Sequence, residues 1–290
     1  MSAPGRVAIV GNPFSGRGAN GRRVARLEQT LRAEGLEAAV MWDRREWQAR
    51  LAAEDWRCVV AAGGDGTVAD VINAGVRAPV AALALGNQNL LAKRLGYPRD
   101  GEKLARLVAL GRTRRIDLGA ALGRRFSLMV SVGLDAEVVR RFAAWREKGG
   151  ALKRSSSWRY AGPALGALRG YAFPRLRLVA DGQRVEGAQA LVFNAPAYAL
   201  GLRFAPDGKE DDGLLDWVVL ERGGVAAALG FYAAAATGLL PRLKGARWGQ
   251  AREARIESEA PAPIQMDGEA VGWTPVDISV AAAALEVVRA

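Results

Sequence analysis

The residues best suited to chemistry lie in three short loops that each follow a predicted strand. The clearest is Gly-Gly-Asp-Gly-Thr, between a hydrophobic strand pattern and a helical one. Glycines let the backbone approach a phosphate closely, and the start of a helix offers N–H groups to an anion. The hydroxyl can cap the helix and donate to a phosphate oxygen. The predicted phosphate-binding residues of this loop are Gly63, Gly64, Asp65, Gly66 and Thr67.

The carboxylate of this loop is unexpected beside a phosphate, because the two groups repel each other. Asp65 fits such a site if it holds a magnesium ion or the water molecules of that ion. The alternative is a tight strand-to-helix turn without a ligand. The complete five-residue sequence favours the phosphate interpretation.

Two further loops have the same setting and would meet the first at one edge of a parallel sheet. Residues 12–18 follow the first predicted strand, and residues 86–89 precede a predicted helix. The small and hydroxyl residues of the first suit a phosphate. The amides of the second could contact a nucleotide, orient the other loops or simply cap the helix. The candidate residues are Asn12, Ser15, Gly16, Asn87 and Asn89.

An alternation of strand and helix patterns over residues 1–117 must position these loops. Four hydrophobic strands alternate with four helices, from a strand at Val7 to a helix ending near Leu95. This alternation predicts a doubly wound α/β domain with a parallel sheet.

The pattern of residues 118–290 is different. Short strands separated by Asp-Gly turns dominate, with helices near 137–147, 157–170 and 224–237. The chain is therefore predicted to hold two domains, an α/β domain over residues 1–117 and a mainly β, sandwich-like domain over residues 118–290.

Composition removes several classes of chemistry. The 290 residues contain no histidine, which excludes histidine-dependent triads and the usual zinc sites. The single cysteine, Cys58, excludes an internal disulfide, and its apolar surroundings predict a buried structural thiol. Catalysis must rely on carboxylates, hydroxyls, basic groups, the backbone and, where one binds, a hard cation.

Charge and hydropathy limit the classes of binding partner and the location of the protein. A net charge of +11 allows nucleic acid, an anionic membrane or a polyphosphate, but no nucleic-acid-binding module is recognisable. The absence of an apolar signal core predicts a cytoplasmic protein. The longest uncharged stretch, residues 225–240, is shorter than the about 20 apolar residues of a membrane span. It predicts a buried helix.

The three loops and four later motifs resemble, in order and spacing, the diacylglycerol kinase catalytic family, which includes bacterial lipid kinases, sphingosine kinases and ceramide kinases. The motifs are Asn-Pro-Phe-Ser-Gly at 12–16, Gly-Gly-Asp-Gly-Thr at 63–67, Gly-x-x-Asn at 86–89, Ile-Asp-Leu-Gly at 116–119, Val-Gly-Leu-Asp-Ala at 132–136, Asp-Asp-Gly-Leu-Leu-Asp at 211–216 and Gln-Met-Asp-Gly-Glu at 265–269. The resemblance covers nearly the whole chain.

This resemblance implies a fold, a cofactor and an activity. The fold is a nucleotide-binding α/β domain, similar to that of NAD kinases, plus a β-sandwich-like domain, with an active-site cleft between them. ATP would bind the loops at residues 12 and 63–69. Asp267 would be the general base toward a lipid hydroxyl, supported by Glu269. The implied activity is transfer of the γ-phosphoryl group of ATP to a diacylglycerol- or sphingosine-like alcohol, assisted by Mg²⁺.

The resemblance also implies metal ligands. A structural Mg²⁺ would be held by the turn at Asp212, with backbone oxygens of Lys209 and Leu214 as further ligands. Asp117 would belong to the hydrogen-bond and metal network near the phosphates.

The chain departs from the family pattern in two places. Ala69 and Asp70 replace an Asn-Glu pair, and Asn87 and Leu90 replace a threonine and an aspartate. The lost hydroxyl and carboxylate leave two alternatives to a lipid kinase open. One is a catalytically impaired protein that binds lipid or nucleotide. The other is a kinase for a soluble substrate, because NAD kinases share Gly-Gly-Asp-Gly.

Basic and aromatic side chains alternate over residues 140–160, a mixture that suits an anionic lipid interface and also occurs on solvated helices. We expect transient, peripheral contact with the inner face of a membrane. The residues are Arg140, Arg141, Trp145, Arg146, Lys148, Lys153, Arg154, Trp158, Arg159 and Tyr160.

Overall fold

The computed structural model describes residues 5–12, 18–147, 161–205 and 207–290. The chain divides into two compact units, Met1–Asp117 with Ala283–Ala290, and Leu118–Ala282. The end of the chain thus returns to the first unit, which the sequence pattern did not anticipate.

The first unit is a parallel sheet with helices between its strands. Its elements are β1 (Arg6–Gly11), α1 (Gly18–Ala33), β2 (Glu37–Met41), α2 (Arg44–Ala53), β3 (Cys58–Gly63), α3 (Asp65–Asn73), β4 (Val80–Ala84), α4 (Leu90–Arg94), α5 (Gly101–Leu110), the start of β5 (Thr113–Ala121) and the end of β16 (Val276–Val288). The strand order is β2-β1-β3-β4-β16, and each neighbouring pair is parallel. The predicted doubly wound α/β fold is confirmed.

Burial explains why these segments form these elements. Residues 7–10 of β1 are fully buried, as expected for a strand covered on both faces by helices. Helix α1 buries Val24, Leu27 and Leu31, which share one helical face. Helix α5 was not predicted, although the Asp100 carboxylate caps it by accepting two backbone N–H groups.

The second unit is mainly β. Its elements are the end of β5, β6 (Arg124–Phe126), β7 (Met129–Val132), α6 (Leu134–Glu147), α7 (Ala161–Gly170), β8 (Leu176–Ala180), β9 (Gln183–Gly187), β10 (Gln189–Phe193), β11 (Leu215–Leu220), α8 (Val225–Thr237), β12 (Ala246–Ala251), β13 (Glu253–Ser258), β14 (Pro263–Met266), β15 (Glu269–Trp273) and the start of β16.

The strands of this unit form two antiparallel layers. One has the order β12-β11-β10-β7-β14-β15, and the other includes β16-β13-β8-β9. Buried side chains of both layers share one apolar core, in which Val192 and Trp217 of the first join Leu178 and Ile256 of the second. This packing is that of a β-sandwich, as predicted.

The predicted helix at residues 225–240 forms as α8, but the expectation that it is buried was wrong. Ala228, Phe231 and Ala235 are buried, whereas Val225 and Leu229 are 40% and 53% exposed. Apolar residues surround the helix on all sides, so the sequence could not indicate which face the protein covers. Within the described ranges, no helix is both long and apolar enough to cross a membrane.

Candidate active site

The loops that follow β3 and β4 start side by side at the carboxyl edge of the parallel sheet. Gly63 of β3 pairs with Ala84 of β4, and the Leu85 N–H donates to the Gly63 carbonyl over 2.9 Å. Beyond this pair, the backbones of Gly64 and Gly86 touch. A β-carbon on Gly86 would lie 2.5 Å from the Gly64 Cα, a distance that side chains do not adopt. We call this contact the glycine cradle, and it requires glycine.

The start of α3 is open. Gly64 is its cap residue, and it receives no side-chain capping bond from any described residue. Thr67 does not supply the cap that the sequence predicted, because its hydroxyl packs over Gly63, where a β-carbon would lie 2.1 Å from Oγ1. Gly66 is exposed, with open space where a β-carbon would stand. Backbone N–H groups of this first turn suit an anion.

Asp65 connects this helix to the next. Its carboxylate accepts the Leu91 N–H, at 3.4 Å, in the first turn of α4. Burial raises the pKa of Asp65, while the N–H groups of Leu91, Leu90 and Asn89 act in the opposite direction. Leu90 therefore contributes only its backbone where the family has a carboxylate.

The third loop is closed by its own asparagine. Asn89 has a left-handed backbone with φ 50°, and its side chain does not cap α4. Instead Oδ1 accepts the Gly86 N–H at 2.9 Å, and Nδ2 donates to the Gly86 carbonyl at 2.6 Å. Asn89 thus holds Gly86 in the glycine cradle. Asn87 is exposed.

The first loop is described only at its start. Asn12 is exposed and follows β1, which lies beside β3 in the sheet, so it belongs to the same edge as the glycine cradle. Ser15 and Gly16 lie outside the described residues, and their predicted contact with a phosphate remains a prediction.

Asp117 has a structural contact. It is buried, and its Oδ1 accepts the Ala283 N–H at 2.6 Å. Ala283 has a left-handed φ of 49°, so the bond secures β16 where the chain re-enters the first unit. The sequence did not predict this contact, and the metal role of Asp117 stays a prediction.

In the second unit, Asp267 lies in a tight turn between β14 and β15. Its Oδ2 accepts the backbone N–H and the hydroxyl of Ser127, at 2.8 and 3.1 Å. Its Oδ1 accepts the N–H groups of Leu128 and Met129, both at 2.9 Å. Residues 126–132 were predicted as one strand, but β6 and β7 are separated here, because these N–H groups bind a carboxylate instead of a neighbouring strand.

The environment of Asp267 changes its acidity. Burial raises its pKa, and the three backbone N–H groups and the Ser127 hydroxyl act in the opposite direction by binding the charged form. Glu269 does not join this group among the described hydrogen bonds. It accepts from Arg124 at 3.0 Å, and both side chains are largely exposed.

A buried polar network leads away from this turn. Gly268 N–H donates to Gln265, whose amide donates to Ser131 at 2.9 Å, and Ser131 donates to Asp135. Burial raises the pKa of Asp135. Asp135 also accepts from Tyr198 and Gln189. The sequence indicated Asp135 only as part of a motif, and its position just after a predicted strand was the available signal.

The predicted metal turn is exposed. The Asp212 Oδ1 accepts the Leu214 N–H at 3.1 Å, which brings these two residues together, and Lys209 lies on the surface nearby in sequence. Burial raises the pKa of the neighbouring Asp216, and the charge of Asp212 adds to this. No group of three or more potential acidic, histidine or cysteine ligands occurs within the described ranges.

The predicted membrane segment is described only to residue 147. Arg140 and Arg141 both bind Glu137, at 2.7 and 2.6 Å. Burial acts to raise the pKa of Glu137, but the two arginines outweigh it and lower that pKa. Trp145 is 39% exposed. Residues 148–160 lie outside the described part of the chain.

Comparisons with known proteins agree with this arrangement. The diacylglycerol kinase catalytic domain matches residues 6–121, and the YegS C-terminal NAD kinase beta sandwich-like domain matches residues 128–289. A protein of Staphylococcus carnosus named diacylglycerol kinase is 23% identical, over 94% of this chain and 91% of its own length. A protein of Bacillus subtilis with the same name is 24% identical, over 93% of this chain and 91% of its own length.

Solved structures share the fold. A crystal structure from Bacillus anthracis, described as a diacylglycerol kinase, has a TM-score of 0.72 at 17% identity and covers 100% of this chain and 98% of its own. Another from that organism, assigned provisionally to the same activity, has a TM-score of 0.78 at 21% identity and covers 100% and 97%. With both domains matched in order, the chain belongs to the diacylglycerol kinase catalytic-domain family.

Proposed function

We propose that this chain is an ATP-dependent lipid kinase that transfers the γ-phosphoryl group of ATP to the hydroxyl of a diacylglycerol- or sphingosine-like alcohol. The observation that carries the proposal is the glycine cradle beside the open start of α3, in a chain of this family. The names of the Staphylococcus and Bacillus subtilis relatives support a lipid acceptor.

The cradle supports nucleotide binding for a steric reason. The contact of Gly64 with Gly86 fixes the loop before α3, and the open space at Gly66 lets phosphate oxygens reach backbone N–H groups in the first turn of that helix. Phosphoryl transfer needs charge neutralisation and alignment more than a strong base.

Magnesium fits the available donors. Mg²⁺ uses one or two carboxylates and retains several waters, so a dense cluster of acids is not required. We assign Asp65, at the start of α3, and Asp117 to the Mg²⁺ beside the phosphates, and Asp212 with the Lys209 and Leu214 backbone to the structural site. Bound Mg²⁺ would neutralise charge on the phosphates.

Asp267 is the proposed general base, and its hydrogen bonds suggest how it acts. A carboxylate has about four lone-pair positions, and the four donors from residues 127–129 occupy them all. Three donors belong to the backbone, but the Ser127 hydroxyl can rotate away. The acceptor hydroxyl would take its place at Oδ2 and pass its proton to that oxygen.

A transfer assay tests the proposal. Radiolabelled ATP is supplied with a panel of lipid alcohols in mixed micelles, and the native chain is compared with Asp267→Asn. Asp181→Asn is the matched control, because Asp181 also has a positive φ in an Asp-Gly turn and accepts two backbone N–H groups. Melting temperatures of both variants are recorded.

We expect labelled lipid from the native chain and from Asp181→Asn, and a loss of at least about 10²-fold with Asp267→Asn, the low end for general-base catalysis. A folded native chain that labels no lipid with several donors and metals would refute the lipid kinase. Equal activity in Asp267→Asn would refute the base.

The occupied carboxylate of Asp267 favours a second candidate, a protein that binds nucleotide without transferring phosphate. ATP binding without turnover, with magnesium and with manganese, would support it. Turnover that depends on a soluble acceptor instead of a lipid would support the remaining alternative, a kinase for a soluble substrate.

A further inference from the structure

The outward side of α8 is apolar up to the exposed Thr237 at the end of the helix. Its exposed positions follow helical spacing and continue into the residue after the helix, where Leu239 is 50% exposed. We define the α8 outer face by seven exposed apolar residues, Val225, Ala226, Leu229, Gly230, Ala233, Ala236 and Leu239. A helix at a protein surface normally carries polar side chains on the solvent side, so this face is unusual.

The opposite side of α8 is fixed to the second unit. Ala228 packs in a small apolar cluster with Leu134 and Ala167, and Tyr232 packs at the margin of that cluster. The Tyr232 hydroxyl accepts the Gln189 amide at 2.8 Å. These contacts fix α8 on the second unit, so the α8 outer face is exposed to solvent without a conformational change.

Basic residues dominate the sequence on both sides of α8, between Glu221 and Glu253. From residue 222 to residue 252 the chain has five basic residues and no acidic residue, namely Arg222, Arg242, Lys244, Arg247 and Arg252. Arg222 precedes the N-terminus of α8, and Arg242 and Lys244 follow its C-terminus; all three are exposed. Arg247 pairs with Glu221.

We propose that the α8 outer face docks on the surface of an anionic lipid bilayer. An interfacial helix inserts its apolar side chains among the headgroups, while flanking cations bind lipid phosphates. The apolar residues of the α8 outer face suit insertion among the headgroups, and the cations at both ends of α8 suit the lipid phosphates. The inference rests on the proposed function, since a lipid kinase must reach an acceptor that resides in a membrane.

A second copy of the chain fits this face less well. Thirteen helical residues span roughly 20 Å, and a helix is about 10 Å wide, so the face offers about 200 Å². A stable protein interface buries about 800 Å² per partner. A bilayer needs no such matched surface.

Vesicle sedimentation tests the proposal. The native chain is mixed with vesicles of phosphatidylcholine and phosphatidylglycerol in a two-to-one ratio, and separately with phosphatidylcholine alone. Leu229→Glu is compared with Leu110→Glu, which makes the same change at a 64% exposed leucine on α5. Light scattering reports the oligomeric state of each variant, and circular dichroism reports its fold.

We expect the native chain and Leu110→Glu to sediment with the anionic vesicles, with at least about tenfold weaker partition for Leu229→Glu, which loses a half-exposed leucine and gains a repelled charge. Added salt should weaken the binding. Equal partition of Leu229→Glu and Leu110→Glu would overturn the proposal, as would native protein that remains unbound. A native dimer that Leu229→Glu converts to a monomer would instead make the face a self-interface.

The outcomes separate this inference from the proposed function. Kinase activity on a monomeric short-chain acceptor, without vesicle binding, would refute the docking face and leave the lipid kinase standing. Vesicle binding that Leu229→Glu abolishes, in a chain that labels no lipid, would refute the kinase and leave the docking face.

Discussion

The glycine cradle allows the fold and the phosphate site to be tested separately. In Gly86→Ala, the new methyl group would lie 2.5 Å from the Gly64 Cα and 3.0 Å from the Asn89 Oδ1. Backbone cannot yield as a flexible side chain does, so the two loops must separate. Overpacking of this kind costs about 1–3 kcal/mol. We therefore expect a melting temperature lower by roughly 5 °C, together with weaker ATP binding.

Gly66→Ala is the informative partner of this substitution. Gly66 lies in the first turn of α3, has no positive φ and has open space at its β-carbon position. Replacement of glycine by alanine at such a site stabilises a protein by about 0.4–1 kcal/mol. If phosphates approach this turn, the methyl group occupies their place. We expect an unchanged or higher melting temperature and ATP binding weakened by about tenfold, or 1.4 kcal/mol.

Differential scanning fluorimetry and equilibrium dialysis with labelled ATP measure the two quantities. Gly86→Ala with native stability would refute the steric reasoning about the cradle. Gly66→Ala with native affinity for ATP would show that phosphates do not bind at the start of α3.

Three further predictions concern single side chains. Because burial raises the pKa of Asp267 and the base must be ionised, activity should fall with acidity at a pH above the ordinary aspartate value of about 3.9; a limb at or below that value contradicts the assignment. Ser127→Ala removes a donor to the ionised carboxylate, so the same limb should move to higher pH, and an unchanged pH profile would exclude Ser127 from this role. Asp117→Ala should lower the free energy of unfolding by about 1–3 kcal/mol in urea titrations, because the hydrogen bond from the Ala283 N–H to the buried Asp117 carboxylate is lost, whereas Asp117→Asn should keep most of that stability. Loss of activity in stable Asp117→Asn would support the metal role, and a stable Asp117→Ala would contradict the structural one.

Local pattern predicted much of the fold. The strands and helices that position the glycine loops were found because their apolar periodicity is simple, and Cys58 is buried as expected, which raises its pKa to about 12. Helix α5 was missed although its buried residues follow helical spacing and Asp100 caps it. Five strands were also missed, because short strands carry little periodic signal; these are β5, β9, β12, β14 and β15. The division of residues 126–132 could not be predicted either, since its cause lies about 140 residues away at Asp267.

The sequence by itself determined which residues carry chemistry and in what order, because glycine, carboxylate and amide side chains have fixed steric and acid–base properties. It determined the family and the exclusion of histidine chemistry for the same reason. Only the tertiary structure decided which groups within the chain these residues contact. Packing placed Gly64 against Gly86 and left one side of α8 exposed to solvent. It also supplied the donors that bind the Asp267 carboxylate and the Ala283 N–H that binds Asp117. Such contacts join residues far apart in the chain. Local periodicity cannot predict which distant backbone will lie beside a given side chain.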